Sequence, residues 1–158
     1  MIDLILKKGK ERSLLRRHPW IYDTAVHKVT GKPQSGETVR VVGADGRFLA
    51  WAAYSPASTL RARCWSFKVD DVIDARWFEK KLSDAILARE GLRERTNAIR
   101  LIFGEADGLP GLIVDQYDQC LVTQFQSAGV EAHRELIADL LMKLTGAQTI
   151  CWGKSPLS

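Results

Sequence analysis

The sequence predicts an α+β protein in which a small β-barrel-like domain precedes a small α+β domain of helix, strands, helix and strand. Three observations predict it. The first 70 residues carry several short runs of β-formers cut by turn residues, with a single brief helical segment. The remainder alternates helical periodicity with β-runs. The charge also changes sign: up to Val69 there are 13 Lys/Arg against 5 Asp/Glu, and from Asp70 onward 10 against 14.

Taken in order, IDLIL (2–6) reads as a short strand. Gly9 opens a brief helical segment, KERSLLRR, which must stop before Pro19 because proline lacks an amide donor and restricts the residue before it. Leu14 and Leu15 are expected to face inward there, with Arg12, Arg16 and Arg17 outward. WIYDTAVHKV (20–29) is rich in β-formers and GKPQSGE (31–37) is a turn by composition. TVRVVGADGRFLAWAAYSP reads as two strands joined at Gly43-Ala44-Asp45-Gly46, where Asp-Gly suits a tight hairpin. STLRARCWSF (58–67) alternates Leu60, Ala62 and Cys64 with Arg61 and Arg63, the pattern of a strand with two arginines on its wet face.

The acidic stretch VDDVID (69–74) marks the domain boundary, giving domains 1–70 and 74–152. Asp74 is placed to N-cap a helix of about four turns, with Phe78, Leu82 and Ile86 on one face and Gly91 as its stop. Three β-runs follow in AIRLIFGEADGLPGLIVDQYDQCLVTQF, cut at Gly-Leu-Pro-Gly and Tyr-Asp-Gln. A second helix sets Val130, Ile137, Leu140, Leu141 and Leu144 on one face before Gly146, and QTICW closes with a strand.

Hydrophobic residues at 46% and charged residues at 27% are globular values, and no run of 18 apolar residues occurs. A cytoplasmic protein with no membrane association is expected. Cys64, Cys120 and Cys151 form no CxxC pair and lie far apart in sequence, which predicts reduced, mostly buried thiols rather than a disulfide framework or a metal site.

Between residues 7 and 22 six cations, Lys7, Lys8, Lys10, Arg12, Arg16 and Arg17, surround one acid, Glu11. Such a cluster alone is a common solvated face. The excess continues at Arg40, Arg47, Arg61, Arg63 and Lys68, however, with aromatics interleaved. Cations suit phosphates and aromatic planes suit unpaired bases, so structured RNA is the expected partner. His18 suits either an RNA contact or packing beside Pro19, while Trp20, Trp51 and Trp65 read as core. Glu105, Asp107 and Asp115 in GEADGLPGLIVD lack the spacing of a calcium loop and have no nucleophile beside them, so the stretch reads as turn chemistry between strands. No glycine-rich nucleotide loop, HExxH or nucleophile elbow is present.

LKKGKERSLLRRHPWIY, AAYSPASTLRARCW and RLIFGEADGLPGLIVDQY together resemble the N-terminal part of the bacterial YccW-type methyltransferases, over about residues 2–150. That family methylates carbon 5 of a cytosine in 23S ribosomal RNA with S-adenosylmethionine. The resemblance implies a PUA domain, an RNA-holding pseudo-β-barrel, over 1–70, and an α+β connecting domain over 74–152. It further implies 23S ribosomal RNA as partner. Phosphate contacts would come from Lys7, Lys8, Lys10, Arg12, Arg16, Arg17, Arg61 and Arg63, with His18 beside them. The family's cofactor loop and catalytic cysteine have no counterpart here, so neither catalysis nor a cofactor is expected of this chain, although the full-length family uses S-adenosylmethionine. The tail 153–158 departs from the family pattern, suggesting a truncated or frameshifted reading frame, or an artificially chosen end point. A stand-alone RNA-binding module and a protein-interaction domain are the alternatives, and a homodimer is left open.

Overall fold

The computed structural model describes residues 1–92 and 98–153; the tail expected to diverge from 153 therefore lies, apart from Gly153, outside the described residues. The chain divides into two compact units, Met1–Ile73 and Asp74–Ser158.

In the first unit the strands are β1 (Asp3–Leu6), β2 (Trp20–Tyr22), β3 (Val26–Val29), β4 (Thr38–Val42), β5 (Phe48–Tyr54) and β6 (Leu60–Ser66), with one short helix, α1 (Arg12–Leu15). They form one mixed sheet, ordered β2-β6-β5-β4-β1-β3, that curls into a half-barrel. β1 runs parallel to β4, with Leu4 opposite Val41, and antiparallel to β3 on its other side. Period-2 alternation turns Leu4, Leu6, Val39, Val41, Ala62 and Cys64 inward, and Leu14 of α1 joins this core. The β4–β5 hairpin closes where expected: Gly46 takes φ 84° and the Gly43 amide donates to the Arg47 carbonyl at 2.9 Å.

Three expectations for this unit are corrected. Leu15 is 53% exposed, because a single helical turn can turn only one of two adjacent leucines to the core. Residues 20–29 are two strands separated by a 3-10 turn at Asp23–Ala25. Trp20 is 43% exposed, since β2 is an edge strand whose buried residue is Ile21; Trp65, at 4%, is core as expected.

The second unit contains α2 (Ala75–Ala88), β7 (Ala98–Phe103), β8 (Leu112–Tyr117), β9 (Cys120–Phe125), α3 (Ala128–Ala132), α4 (Arg134–Thr145) and β10 (Thr149–Trp152). The sheet order is β10-β9-β8-β7, with only the β10–β9 pair parallel. The Asp74 carboxylate accepts the Trp77 amide at 3.0 Å and so caps α2, while Gly146 ends α4 at φ 68°. Phe78 and Leu82 of α2 and Ile137 and Leu141 of α4 are all fully buried, each burial worth about 1.5–3 kcal/mol.

Two helix expectations change. α2 ends at Ala88, three residues before Gly91, and the guanidinium of its C-cap, Arg89, donates to the carbonyls of Ala85 and Leu101. The helical run from 128 to 145 is two segments meeting at His133, whose ring packs 4.7 Å from that of Phe78. The thiols also differ from expectation: Cys64 is buried, Cys120 half-buried and Cys151 exposed. No helix among the described residues is long and apolar enough to cross a membrane.

Candidate nucleic-acid interface

The basic segment lies in and on either side of α1. Gly9, at φ 87°, turns the chain after β1, and the Lys10 amide donates to the Lys7 carbonyl at 3.0 Å, so Lys7, Lys8 and Lys10 project from a tight turn. Arg12 and Arg16, four apart, share a face of the helical turn. Lys7, Lys8, Lys10, Arg12, Arg16, Arg17 and His18 are all exposed. Among the described residues the lysines, Arg12 and Arg16 make no ion pair.

Arg17 was not distinguishable from its neighbours by sequence. The Arg17 amide donates to Leu14 O and the His18 amide to Ser13 O, both at 2.9 Å, which is a helix-ending motif whose left-handed position glycine usually fills. Arg17 occupies it at φ 66°, a conformation costing a non-glycine residue about 1 kcal/mol. Its guanidinium lies 5.1 Å from the centre of the Phe67 ring. The motif, rather than Pro19, stops the helix.

Arg61 and Arg63 lie on β6, which pairs with β2, and are only half-exposed. Arg61 reaches Asp23 at 4.0 Å, and its buried Nε has no hydrogen-bond partner among the described residues. Arg63 stands opposite Trp20 in the β2–β6 pairing. Trp20, opposite Arg63, and the 48%-exposed Tyr22, opposite Leu60, put two aromatic rings at the sheet edge. Alternation around the buried Ile21 was the signal that could have revealed them. Arg40, counted in the basic excess, closes on Asp3 at 2.8 and 2.9 Å; its hydrogen bonds hold the Asp3 carboxyl below the usual range.

In the second unit the three carboxylates are structural or exposed. Asp107 accepts from Arg89 at 3.0 Å and from the Phe103 amide at 2.7 Å. Asp115 accepts twice from Arg100, at 2.8 and 3.2 Å. Glu105 lies on the exposed side of the 3-10 turn Gly104–Asp107. The glycines of this stretch serve packing rather than a cofactor: a Cβ on Gly111 would come within 2.5 Å of Ser127 Oγ, and one on Gly108 within 3.3 Å of Lys81 Nζ. The stretch does not fit an S-adenosylmethionine cradle.

The profile of a PUA-like domain family matches residues 4–67, the span of the curled sheet and α1. The fold of this region is PUA-like. Over 142 residues, 89% of the chain, the sequence aligns at 47% identity with proteins named ribosomal RNA large subunit methyltransferase I from Yersinia pseudotuberculosis and Yersinia pestis. The match lies in the N-terminal part of those proteins, and the chain spans 36% of their length. Among solved structures, a Streptococcus mutans protein described as a SAM-dependent methyltransferase superposes with TM-score 0.78 at 18% identity, over 93% of this chain and 39% of its own. A protein described as a methyltransferase and solved with SAH gives 0.80 at 17% identity, over 99% and 44%. At these identities the likeness concerns the fold: a PUA-like domain followed by a small α+β connector.

Proposed function

We propose that this chain is the RNA-holding and connecting region of a 23S ribosomal RNA cytosine-5 methyltransferase, acting in the cytoplasm and performing no chemistry by itself. The observation that carries the reading is the set of exposed cations at Lys7, Lys8, Lys10, Arg12 and Arg16 on the PUA-like domain, which make no ion pair among the described residues. Phosphate oxygens would take the place of the missing acidic partners, fixing position and register more than sequence. Arg17, Arg61, Arg63 and His18 flank that surface, and Trp20 and Tyr22 offer planes on which unpaired bases can stack, worth about 1–3 kcal/mol per base. Methyl transfer itself, with S-adenosylmethionine supplying the methyl group, is assigned to none of this chain's residues.

The test is binding of the 158-residue chain to a 23S ribosomal RNA fragment and to tRNA of equal length across a salt series. Six to eight phosphate contacts predict a fall in affinity on the order of a thousandfold from low to moderate salt. The double variant Arg16→Glu/Arg17→Glu should bind about a hundredfold more weakly with a shallower salt slope. Flat salt dependence, or an unaffected double variant, would refute the proposal and favour an acidic protein as the partner of this face.

A further inference from the structure

The three thiols occupy three different environments. Cys64 is 3% exposed inside β6, and burial pushes its thiol up to about 12, so it is closed to polar reagents. Cys120 and Cys151, 31 positions apart in sequence, meet on neighbouring strands. In the parallel β9–β10 pairing Cys120 stands opposite Thr149 and Cys151 opposite Val122, so the two cysteines are diagonal neighbours on one face of the sheet. Their sulfur atoms are 3.9 Å apart. The intervening Leu121 points to the opposite, fully buried face. The thiols are thus on the open side of the sheet, not in its core.

The reagent's route and the strand's freedom both follow from position. Cys151 is exposed and Cys120 half-buried, so a small oxidant meets Cys151 first. The hydrogen bond with Cys120 raises the Cys151 thiol above its ordinary value, which favours its protonated form at rest. A disulfide needs the sulfurs at about 2.05 Å, so closure requires side-chain rotation and a small shift of a strand. β10 ends the sheet order, is four residues long and is paired only to β9 among the described residues, so it can supply that shift.

We propose that Cys120 and Cys151 form a dithiol modification site that a low-molecular-weight disulfide oxidises to an intramolecular disulfide, stapling the edge strand β10 to β9. In the first step the Cys151 thiolate attacks one reagent sulfur, breaking the reagent's S–S bond and releasing one reagent thiolate. In the second the Cys120 thiolate attacks Cys151 Sγ and expels the other. The two cysteine protons end on two reagent thiols, and two electrons pass from the cysteine pair to the reagent. The site is independent of the RNA-holding reading, because it lies in the second unit.

The experiment incubates the folded 158-residue chain with oxidised glutathione and reads free thiols, intact mass and a peptide map. The expected result is a fall from three free thiols to one, Cys64, with a mass loss of about 2 Da and one peptide linking the β9 and β10 segments. Cys120→Ser should instead retain one glutathione on Cys151. A native chain that also stops at a glutathione adduct on Cys151, that cross-links only between chains, or that keeps all three thiols would overturn the proposal. The peptide map of the unaltered chain decides it without the variant.

Discussion

In the first unit Lys7, Lys8, Lys10, Arg12 and Arg16 stand in solvent without an acidic partner among the described residues, whereas in the second Arg89, Arg100 and Lys143 each close on a carboxylate. The difference lies in what surrounds each charge. Arg100 and Asp115 are opposite one another on β7 and β8, and Arg89 bridges the end of α2 to the 3-10 turn before β8. Neither pairing adds net charge that a partner could use. Exposed pairs of this kind contribute about 0–1 kcal/mol, but Arg89–Asp107, with side chains 22% and 12% exposed, is shielded enough for its loss to matter. Counting cations therefore overstates a binding surface unless the fold shows which of them are paired, as Arg40 illustrates within the first unit.

Damaging one unit should leave the other's role intact, and the sharpest test is Gly111→Ala. A Cβ there meets Ser127 Oγ at 2.5 Å and Ser127 backbone N at 2.8 Å in a left-handed conformation, so a loss of about 3 kcal/mol or more is expected. Chemical denaturation should show the second unit failing while RNA affinity and its salt slope persist. Asp107→Asn comes next: it leaves the Arg89 guanidinium without its charge partner and should cost about 2 kcal/mol by the same measurement, again without altering RNA binding.

Arg17→Gly turns the comparison round. Glycine suits φ 66°, but the substitution also removes the contact with Phe67, so stability should rise by only about 0.5 kcal/mol while RNA affinity falls severalfold. Paired thermal melts and binding titrations check this opposite movement. Acidification gives the smallest expected effect. Burial lowers the His133 value from 6.5, so its contribution is complete above that value and is lost as pH falls through it, loosening the second unit first. Asp3 is lowered from 3.8 by Arg40, so the first unit keeps that support until the pH drops below about 4. Residue-resolved hydrogen exchange at pH 7, 5 and 3 should show that order.

Local chemistry made several elements readable directly from the sequence. Asp74 caps α2, Gly146 ends α4, Phe78, Leu82 and Ile86 form the buried stripe, and the 98–125 segment gives three strands, because each depends on residues within one or two turns of one another. The alternation of Ala62 and Cys64 with Arg61 and Arg63 was readable for the same reason. Long-range pairing decided the rest. Only the sheet order makes β2 an edge that exposes Trp20, sets β1 parallel to β4 and brings Arg40 to Asp3. The docking of His133 against Phe78 accompanies the break between α3 and α4. The meeting of Cys120 with Cys151 needs two strands joined through a helical crossover, and no periodicity within either strand encodes that neighbour. Residue type and spacing determined which segments became strands, helices and charged turns; tertiary contacts determined which of those charges, rings and thiols have partners, because partnership depends on distances that the chain sets only by folding.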